Sequence, residues 1–354
     1  MTSENPDSFA KLMLALSALK VDKYGAFEVL NTSYKSLGSS GVGIDTDILI
    51  HRSLLTTENI SRCPVIVRIH GGFLVTGSSL YPPWFSNWIL DYAIQNGAII
   101  ISPNYRLLPE ATGMDILSDM DDLWSWLHSE TPRRVIEDAG YANIHLAIDK
   151  IILAGESAGG YLAMQLALSY PSQIRAVIAA YPTLDLNSPF YTESYPKPII
   201  GVPNIPVATI EAHLAAVRES QRPQIVTAAD PPERLKLAFS IFQNGRVLDF
   251  LGQEPDLFPL QRVEKLAEEG SLDLPPLFLF HGEQDSAVQC EGTRRFADLL
   301  LRCGIKGEDV RVYIQDGDHG FDSDATLETG WLKEGLAMIS RAWLGVDTDS
   351  GTPH

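Results

Sequence analysis

Cysteine is scarce in this chain of 354 residues: Cys63, Cys290 and Cys303 stand far apart, and none belongs to a CxxC pair. That usage excludes a disulfide scaffold, a redox couple and a zinc clip, and leaves three reduced, mostly structural thiols. Positive charge is also short. Lys and Arg number 27 against 45 Asp and Glu, a formal charge of -18. With no Lys/Arg-rich run, such a surface repels phosphate backbones and anionic headgroups, so nucleic acid is excluded as a partner. Long apolar runs are missing too. The most apolar early stretch, residues 12–19, has eight residues, whereas a membrane span needs about twenty. It has neither the basic start nor the small-residue cleavage site of a secretory signal and reads as an amphipathic helix. No membrane insertion and a cytoplasmic location are therefore expected. The sequons Asn31-Thr32-Ser33 and Asn59-Ile60-Ser61 carry little weight without a secretory route. HExxH, the P-loop and GxGxxG are all lacking, so neither a metal nor a cofactor is expected.

What is present is an ordinary globular composition, 45% apolar and 20% charged, which excludes disordered, collagenous and coiled-coil chains. The length suits two domains or one large α/β domain with an insertion. Short β-rich runs at residues 45–51, 64–70, 97–102, 150–155, 175–181, 276–281 and 310–315 alternate with helical stretches near 84–95, 115–128, 158–169, 291–301 and 325–343. Most runs are continuous Val/Ile/Leu/Ala, the pattern of strands buried on both faces of a parallel sheet. The fold class is thus α/β, a doubly wound and mostly parallel sheet. Over ninety residues separate the runs ending at 181 and starting at 276, far more than an ordinary connection uses. That interval, with helical segments near 210–219 and 232–242, reads as an inserted helical cap. The expected organisation is an N-terminal helical segment beside the cap (1–44), the first part of the core (45–182), the cap (183–265), the second part of the core (266–345) and a polar tail (346–354).

Gly155-Glu156-Ser157-Ala158-Gly159 follows one of these strands and opens a helix. A serine nucleophile needs a sharp strand-to-helix turn to lift its hydroxyl out of the sheet, and glycines two before and two after let the backbone pass closely. The hydroxyl is a poor nucleophile until a base takes its proton. Of eight histidines, His319 is the best placed, in the glycine-flanked loop Asp316-Gly317-Asp318-His319-Gly320-Phe321 after the last strand. His281 ends a strand four residues before the candidate acid and is the rival, better read as structural. The imidazole needs a carboxylate to fix its tautomer. Asp285, just past the penultimate strand, fills that role, with Glu283 as competitor; Asp316 and Asp318 are too close to His319 in the chain and read as turn formers. The order Ser157, Asp285, His319 is that of α/β-hydrolases. His70-Gly71-Gly72-Phe73 ends another strand. The amides near Gly71, Gly72 and Phe73, with that of Ala158 at a helix N-terminus, are the candidate oxyanion donors.

On these motifs the chain resembles the hormone-sensitive-lipase-like branch of the α/β-hydrolases, over about residues 44–344, and its texture is similar to fungal members from biosynthetic clusters. In that branch HGGG precedes the nucleophile unit, the elbow is usually GDSAG, and a DHGF-like loop supplies the base. Ser102-Pro103-Asn104-Tyr105-Arg106-Leu107-Leu108-Pro109-Glu110 also resembles a segment of the branch, in which Arg106 and Glu110 make structural contacts. Two departures stand out: Phe73 replaces the third glycine of HGGG, and the acid loop reads Gly-Glu-Gln-Asp-Ser-Ala-Val rather than carrying Asp-Pro-Leu. The resemblance implies a serine hydrolase that cleaves a carboxylic ester of a small-molecule acyl substrate through an acyl-enzyme. Thioester, amide or lactone cleavage, acyl transfer or another secondary-metabolism tailoring step on the same triad is the alternative. A non-catalytic binding protein, like the gibberellin receptors of this branch, is the third reading, against which the intact base argues. Trp84, Phe85 and Trp88, with Phe190, Tyr191 and Tyr195 of the cap, are candidates for an aromatic wall over the site, or else for core packing. Glu156 is expected to point away from the serine, toward neighbouring loops. Whether the chain is a monomer or a homodimer is left open.

Overall fold

The computed structural model describes residues 7–18, 22–38, 41–56, 59–220 and 225–345. The expected polar tail, 346–354, lies outside the described residues, as do residues 1–6, 19–21 and 39–40 of the expected N-terminal segment and 221–224 of the expected cap. In chain order the elements are α1 (Asp7–Ala18), β1 (Phe27–Leu37), β2 (Val42–His51), β3 (Ser61–Ile69), α2 (Asn87–Gln95), β4 (Ile99–Pro103), α3 (Gly113–Leu127), α4 (Thr131–Asp138), β5 (Ile144–Glu156), α5 (Ala158–Ser169), β6 (Ala176–Ala180), α6 (Pro189–Thr192), α7 (Ala208–Glu219), α8 (Leu235–Gln243), α9 (Val247–Leu251), α10 (Pro259–Glu268), β7 (Leu277–Gly282), α11 (Cys290–Arg302), β8 (Val310–Gln315) and α12 (Gly330–Leu344). Among the described residues no helix is long and apolar enough to cross a membrane, and no group of His, Cys, Asp and Glu is placed to hold a metal. All three cysteines are free.

Eight strands form one sheet in the order β1-β2-β4-β3-β5-β6-β7-β8. β1, β2 and β4 pair antiparallel, and the rest of the sheet is parallel. Side chains alternate between faces along each strand, and both faces are covered. Val65, Val67, Ile151, Leu153, Val177 and Leu277 join one core with α3 and α5. Ile66, Ile152, Ile178 and Phe278 join a second with Trp88 and Tyr92 of α2 and Leu336, Ile339 and Trp343 of α12. A strand that buries both faces has no polar positions, which is why these runs are continuous in the sequence.

Two expectations change. Residues 27–37, read as part of a helical segment, are strand β1, paired along its length with β2. As an edge strand it has only Phe27 and Tyr34 buried, so Asn31, Thr32, Ser33, Lys35 and Ser36 mask its β pattern. Among the described residues of that segment the α-helix is α1; its Phe9 packs edge-on against Phe239 of α8, ring centroids 6.2 Å apart. The boundary drawn at residue 265 falls inside α10, which packs against α5 and α11 of the core. Between β6 and α10 the chain runs through α6 to α9, joined to the core by Arg234, whose guanidinium bonds the Glu110 carboxylate at 2.6 Å and the Leu108 carbonyl at 2.6 Å.

The sheet's topology positions the chemistry. β3 leads to β4 on one side and, after it, the chain returns to β5 on the other, so strand order reverses between β3 and β5. Crevices at the carboxyl ends of strands flanking such a reversal are where α/β sheets take ligands. Gly71 follows β3, Ser157 follows β5, and Asp285 and His319 follow β7 and β8.

Candidate active site

Ser157 sits between β5 and α5 with φ 57° and ψ -118°, a conformation an L-residue adopts only under constraint, at about 1–3 kcal/mol. The constraint is visible: the Ser157 amide donates to Ala180 O at 2.9 Å, and its carbonyl accepts from Tyr161 N at 3.2 Å and Thr183 N at 3.3 Å. The flanking glycines are obligatory. A Cβ on Gly155 would stand 2.2 Å from Gly159 O, and one on Gly159 would stand 2.0 Å from Ile69 O. Both obstacles are backbone and cannot swing aside. Gly159→Ala is therefore expected to destabilise the fold by at least about 3 kcal/mol, measured as a lowered midpoint in chemical denaturation; a wild-type midpoint would contradict this packing.

Asp285 and His319 meet. Asp285 Oδ2 accepts from His319 Nδ1 at 2.7 Å, while Oδ1 accepts the amides of Ala287 at 2.9 Å and Val288 at 2.7 Å. The rival His281 is fully buried. Its Nε2 bonds Val288 O at 2.8 Å and lies 3.2 Å from Asp285 Oδ2, and its Nδ1 bonds Thr293 Oγ1 at 2.8 Å. Val288 O can only accept, so His281 carries its proton on Nε2 and supports the acid rather than replacing it. The competing acid Glu283 faces Arg294, 3.2 Å away. Asp318, expected to be a turn former, does more: its Oδ1 accepts from His319 N at 2.7 Å and from both the amide and the hydroxyl of Ser286, at 2.7 and 2.8 Å. It ties the base loop to the acid loop.

Burial raises the Asp285 carboxyl, but the His319 charge and the bonds from His281 and His319 outweigh it and hold the group well below the usual carboxylate range. For His319 burial works downward, and the charge and hydrogen bond of Asp285, with Asp318 and Asp322 behind it, lift the imidazole above its usual 6.5. Among the described residues no hydrogen bond joins the Ser157 hydroxyl to His319, although both line one cavity of about 300 Å³. In ligand-free enzymes such contacts are often long and tighten around substrate.

Gly71, Gly72 and Phe73 line the same cavity, whereas Ala158 lines a small cleft beside it. Gly72, Phe73 and Leu74 all have positive φ, at 114°, 62° and 59°. The turn is closed by Val75 N and Thr76 N on Gly72 O, each at 2.9 Å. The amides of Gly72, Phe73 and Ala158 have no acceptor among the hydrogen bonds of the described residues. The bulk of Phe73 is turned into packing, edge-on to Phe239 and Phe242 at 5.5 and 4.7 Å. Burial pushes the His70 imidazole down to about 3. It is neutral, donating from Nδ1 to Gly71 O at 2.7 Å and stacking on Tyr105.

Of the expected aromatic wall, Trp84 and Phe85 line the cavity, while Trp88 is buried in the core behind it. Phe190 and Tyr191 are buried in the core, the alternative reading, and with the exposed Tyr195 they border a different pocket. Their place is taken by Leu12 and Leu16 of α1 and Leu235 and Phe239 of α8, with Tyr181 and Ile200 beside them. Arg106 and Glu110 make structural contacts: Arg106 pairs with Asp115 and Asp119, and Glu110 with Arg234 and His213. Glu156 turns to the fully buried Arg68, 3.2 Å away. Two residues escaped the sequence reading. Tyr181 (φ 38°) sets its ring against the His319 imidazole, centroids 4.4 Å apart and planes tilted by 59°, and Asp322 is buried beside it. Only the short spacing His319-Gly320-Phe321-Asp322 hinted at the latter.

Known proteins match this chain in sequence and in fold. The model of a family described as alpha/beta hydrolase fold matches residues 66–232. "Probable carboxylesterase M8" of a Phoma species is 34% identical over 281 residues, covering 79% of this chain and 86% of that protein. "Probable carboxylesterase clz11" of Cochliobolus lunatus is 33% identical over 211 residues, covering 57% of this chain and 92% of that protein. The solved structure of esterase LipW from Mycobacterium marinum superposes with a TM-score of 0.59 at 19% identity, covering 96% of this chain and 92% of that one.

Proposed function

Since the chain belongs to the alpha/beta hydrolase fold family, in its hormone-sensitive-lipase-like branch, and is a serine hydrolase of the carboxylesterase kind, we propose that it cleaves carboxylic esters through an acyl-enzyme on Ser157. His319 Nε2 takes the hydroxyl proton as Ser157 Oγ attacks the acyl carbon. The resulting oxyanion is held by the amides of Gly72, Phe73 and Ala158. Collapse breaks the bond to the alcohol oxygen, which leaves with the proton from His319. Water, deprotonated by the same imidazole, then attacks the acyl-enzyme, and Ser157 recovers its proton as the acid departs. Asp285 keeps the Nε2 lone pair facing the serine and stabilises the imidazolium. The segment through α6 to α9, together with α1, serves as the cap that shapes the pocket.

The observation that carries this reading is the Asp285–His319 hydrogen bond at 2.7 Å opening on the cavity that Ser157 lines. The apolar wall of Leu12, Leu16, Leu235 and Phe239 suits an apolar acyl or alcohol group. Turnover of a p-nitrophenyl ester series of increasing chain length tests it: hydrolysis well above background for at least part of the series is expected, and a flat background profile would count against it.

The pH dependence has a definite sign. A base must lose its proton before it can accept one, and His319 is raised above 6.5. The acid limb of kcat/KM is thus expected to have its midpoint above 6.5, with activity rising from pH 6 to pH 8. A midpoint below 6.5 would contradict the charge environment described for His319.

A further inference from the structure

Asp322 stands three residues after His319, is 1% exposed, and lines the cavity shared by His319 and Ser157. A carboxylate taken out of water must find donors, and Asp322 finds them in another part of the fold. Its Oδ2 accepts from Trp88 Nε1 at 2.8 Å and from Ser86 Oγ at 3.1 Å, residues at the start of α2 and just before it. The loop carrying the base is thus tied at both ends, to the acid loop by Asp318 and to α2 by Asp322, with Gly320 (φ 79°) as the turn between them. Tyr181, whose tilted ring touches the imidazole, has its hydroxyl raised far above the usual range by burial and then by the charge of Asp322.

We propose that Asp322 is a positioning residue for ester hydrolysis: it anchors the His319 loop to Ser86 and Trp88, and as an anion beside the ring, in addition to Asp285 and Asp318, it stabilises the imidazolium formed in the transition state. The inference rests on the Ser157–His319 reading above. The groups facing this pair are Asp285 and His281 from the acid loop and β7, Asp318 from the same loop, Tyr181 after β6, Glu156 with Arg68 from β5 and β3, and Lys23 ahead of β1. With Asp285 and Asp318 still in place, losing Asp322 weakens the support of the imidazolium without abolishing it.

Two substitutions separate the two halves of the role. Asp322→Asn keeps an acceptor oxygen for both Trp88 and Ser86 and removes the charge, an NH₂ standing where the second carboxylate oxygen was; Trp88→Phe removes the ring N–H and keeps the charge. For Asp322→Asn, kcat at pH 8 is expected to fall roughly tenfold, KM to stay within about twofold, and the acid limb to move to lower pH, since an anion beside the imidazolium is lost. For Trp88→Phe, kcat is expected to fall about three- to tenfold with the acid limb in place, as for a base held slightly out of line. Wild-type kcat and acid limb in Asp322→Asn, or wild-type kcat in Trp88→Phe, would overturn the proposal, as would a change confined to the melting temperature. If Asp322→Asn does not fold, Trp88→Phe alone decides on the same terms. A wild type without Ser157-dependent turnover sinks the hydrolase reading and this inference with it, whereas an active wild type with unaltered variants sinks only this inference.

Discussion

Ser157→Ala is expected to lower kcat on a reactive ester by a factor on the order of 10⁶ while leaving the fold intact. The loss is large because the attacking oxygen itself disappears, and any residual rate comes from the amides of Gly72, Phe73 and Ala158 and from binding. The fold survives because the strain at Ser157 is carried by the backbone bonds to Ala180, Tyr161 and Thr183, which an alanine retains. The control is a wild-type circular dichroism spectrum and melting temperature beside the lost turnover. Ser157→Ala within tenfold of wild type would show that another group attacks the substrate.

Asp285→Asn is expected to lower kcat by about 10⁴, and the geometry gives the reason in atoms. Oδ1 of Asp285 is claimed by two N–H donors, from Ala287 and Val288. An asparagine must present its carbonyl oxygen to them, which turns its NH₂ toward His319 Nδ1. That nitrogen then has to accept, so the ring proton moves to Nε2, and the nitrogen facing Ser157 can no longer take a proton. The same NH₂ meets the Nε2–H of His281, which lies 3.2 Å from Oδ2 in the native protein. The residual activity is also expected to show its acid limb at lower pH, because the carboxylate that lifts His319 is gone. Steady-state kinetics across pH 5 to 9 check both effects; a loss under tenfold with an unmoved limb would mean that Asp285 does not fix the tautomer.

The sequence could be read wherever a physical requirement is local. The parallel strands were legible because burial on both faces leaves only apolar residues, as in Ile99-Ile100-Ile101 and Ile151-Ile152-Leu153. The elbow was legible because Gly155 and Gly159 are dictated by backbone contacts at fixed offsets from the serine. β1 was hidden because an edge strand keeps its polar residues, and α10 because a short polar helix on the core resembles the cap helices before it. The rest of the site was out of reach for a different reason. Asp322 and Trp88 are 234 residues apart, and neither residue type announces the other. Tyr181 owes its place against His319 to its turn after β6, which no pattern of spacing encodes. The wall of the cavity likewise depended on which helices lean over the sheet: Leu12 and Leu16 of α1 and Leu235 and Phe239 of α8 join Trp84 and Phe85 there, while Phe190 and Tyr191 pack in the core.

The most direct test of the central claim, that His319 activates Ser157, is intact-mass and peptide analysis after brief exposure to a fluorophosphonate at pH 8, for the wild type and for His319→Ala. The account predicts a single adduct on the wild type, located on Ser157, and little or none on His319→Ala in the same time. No adduct on the folded wild type, an adduct on another residue, or equal labelling of both proteins would contradict it.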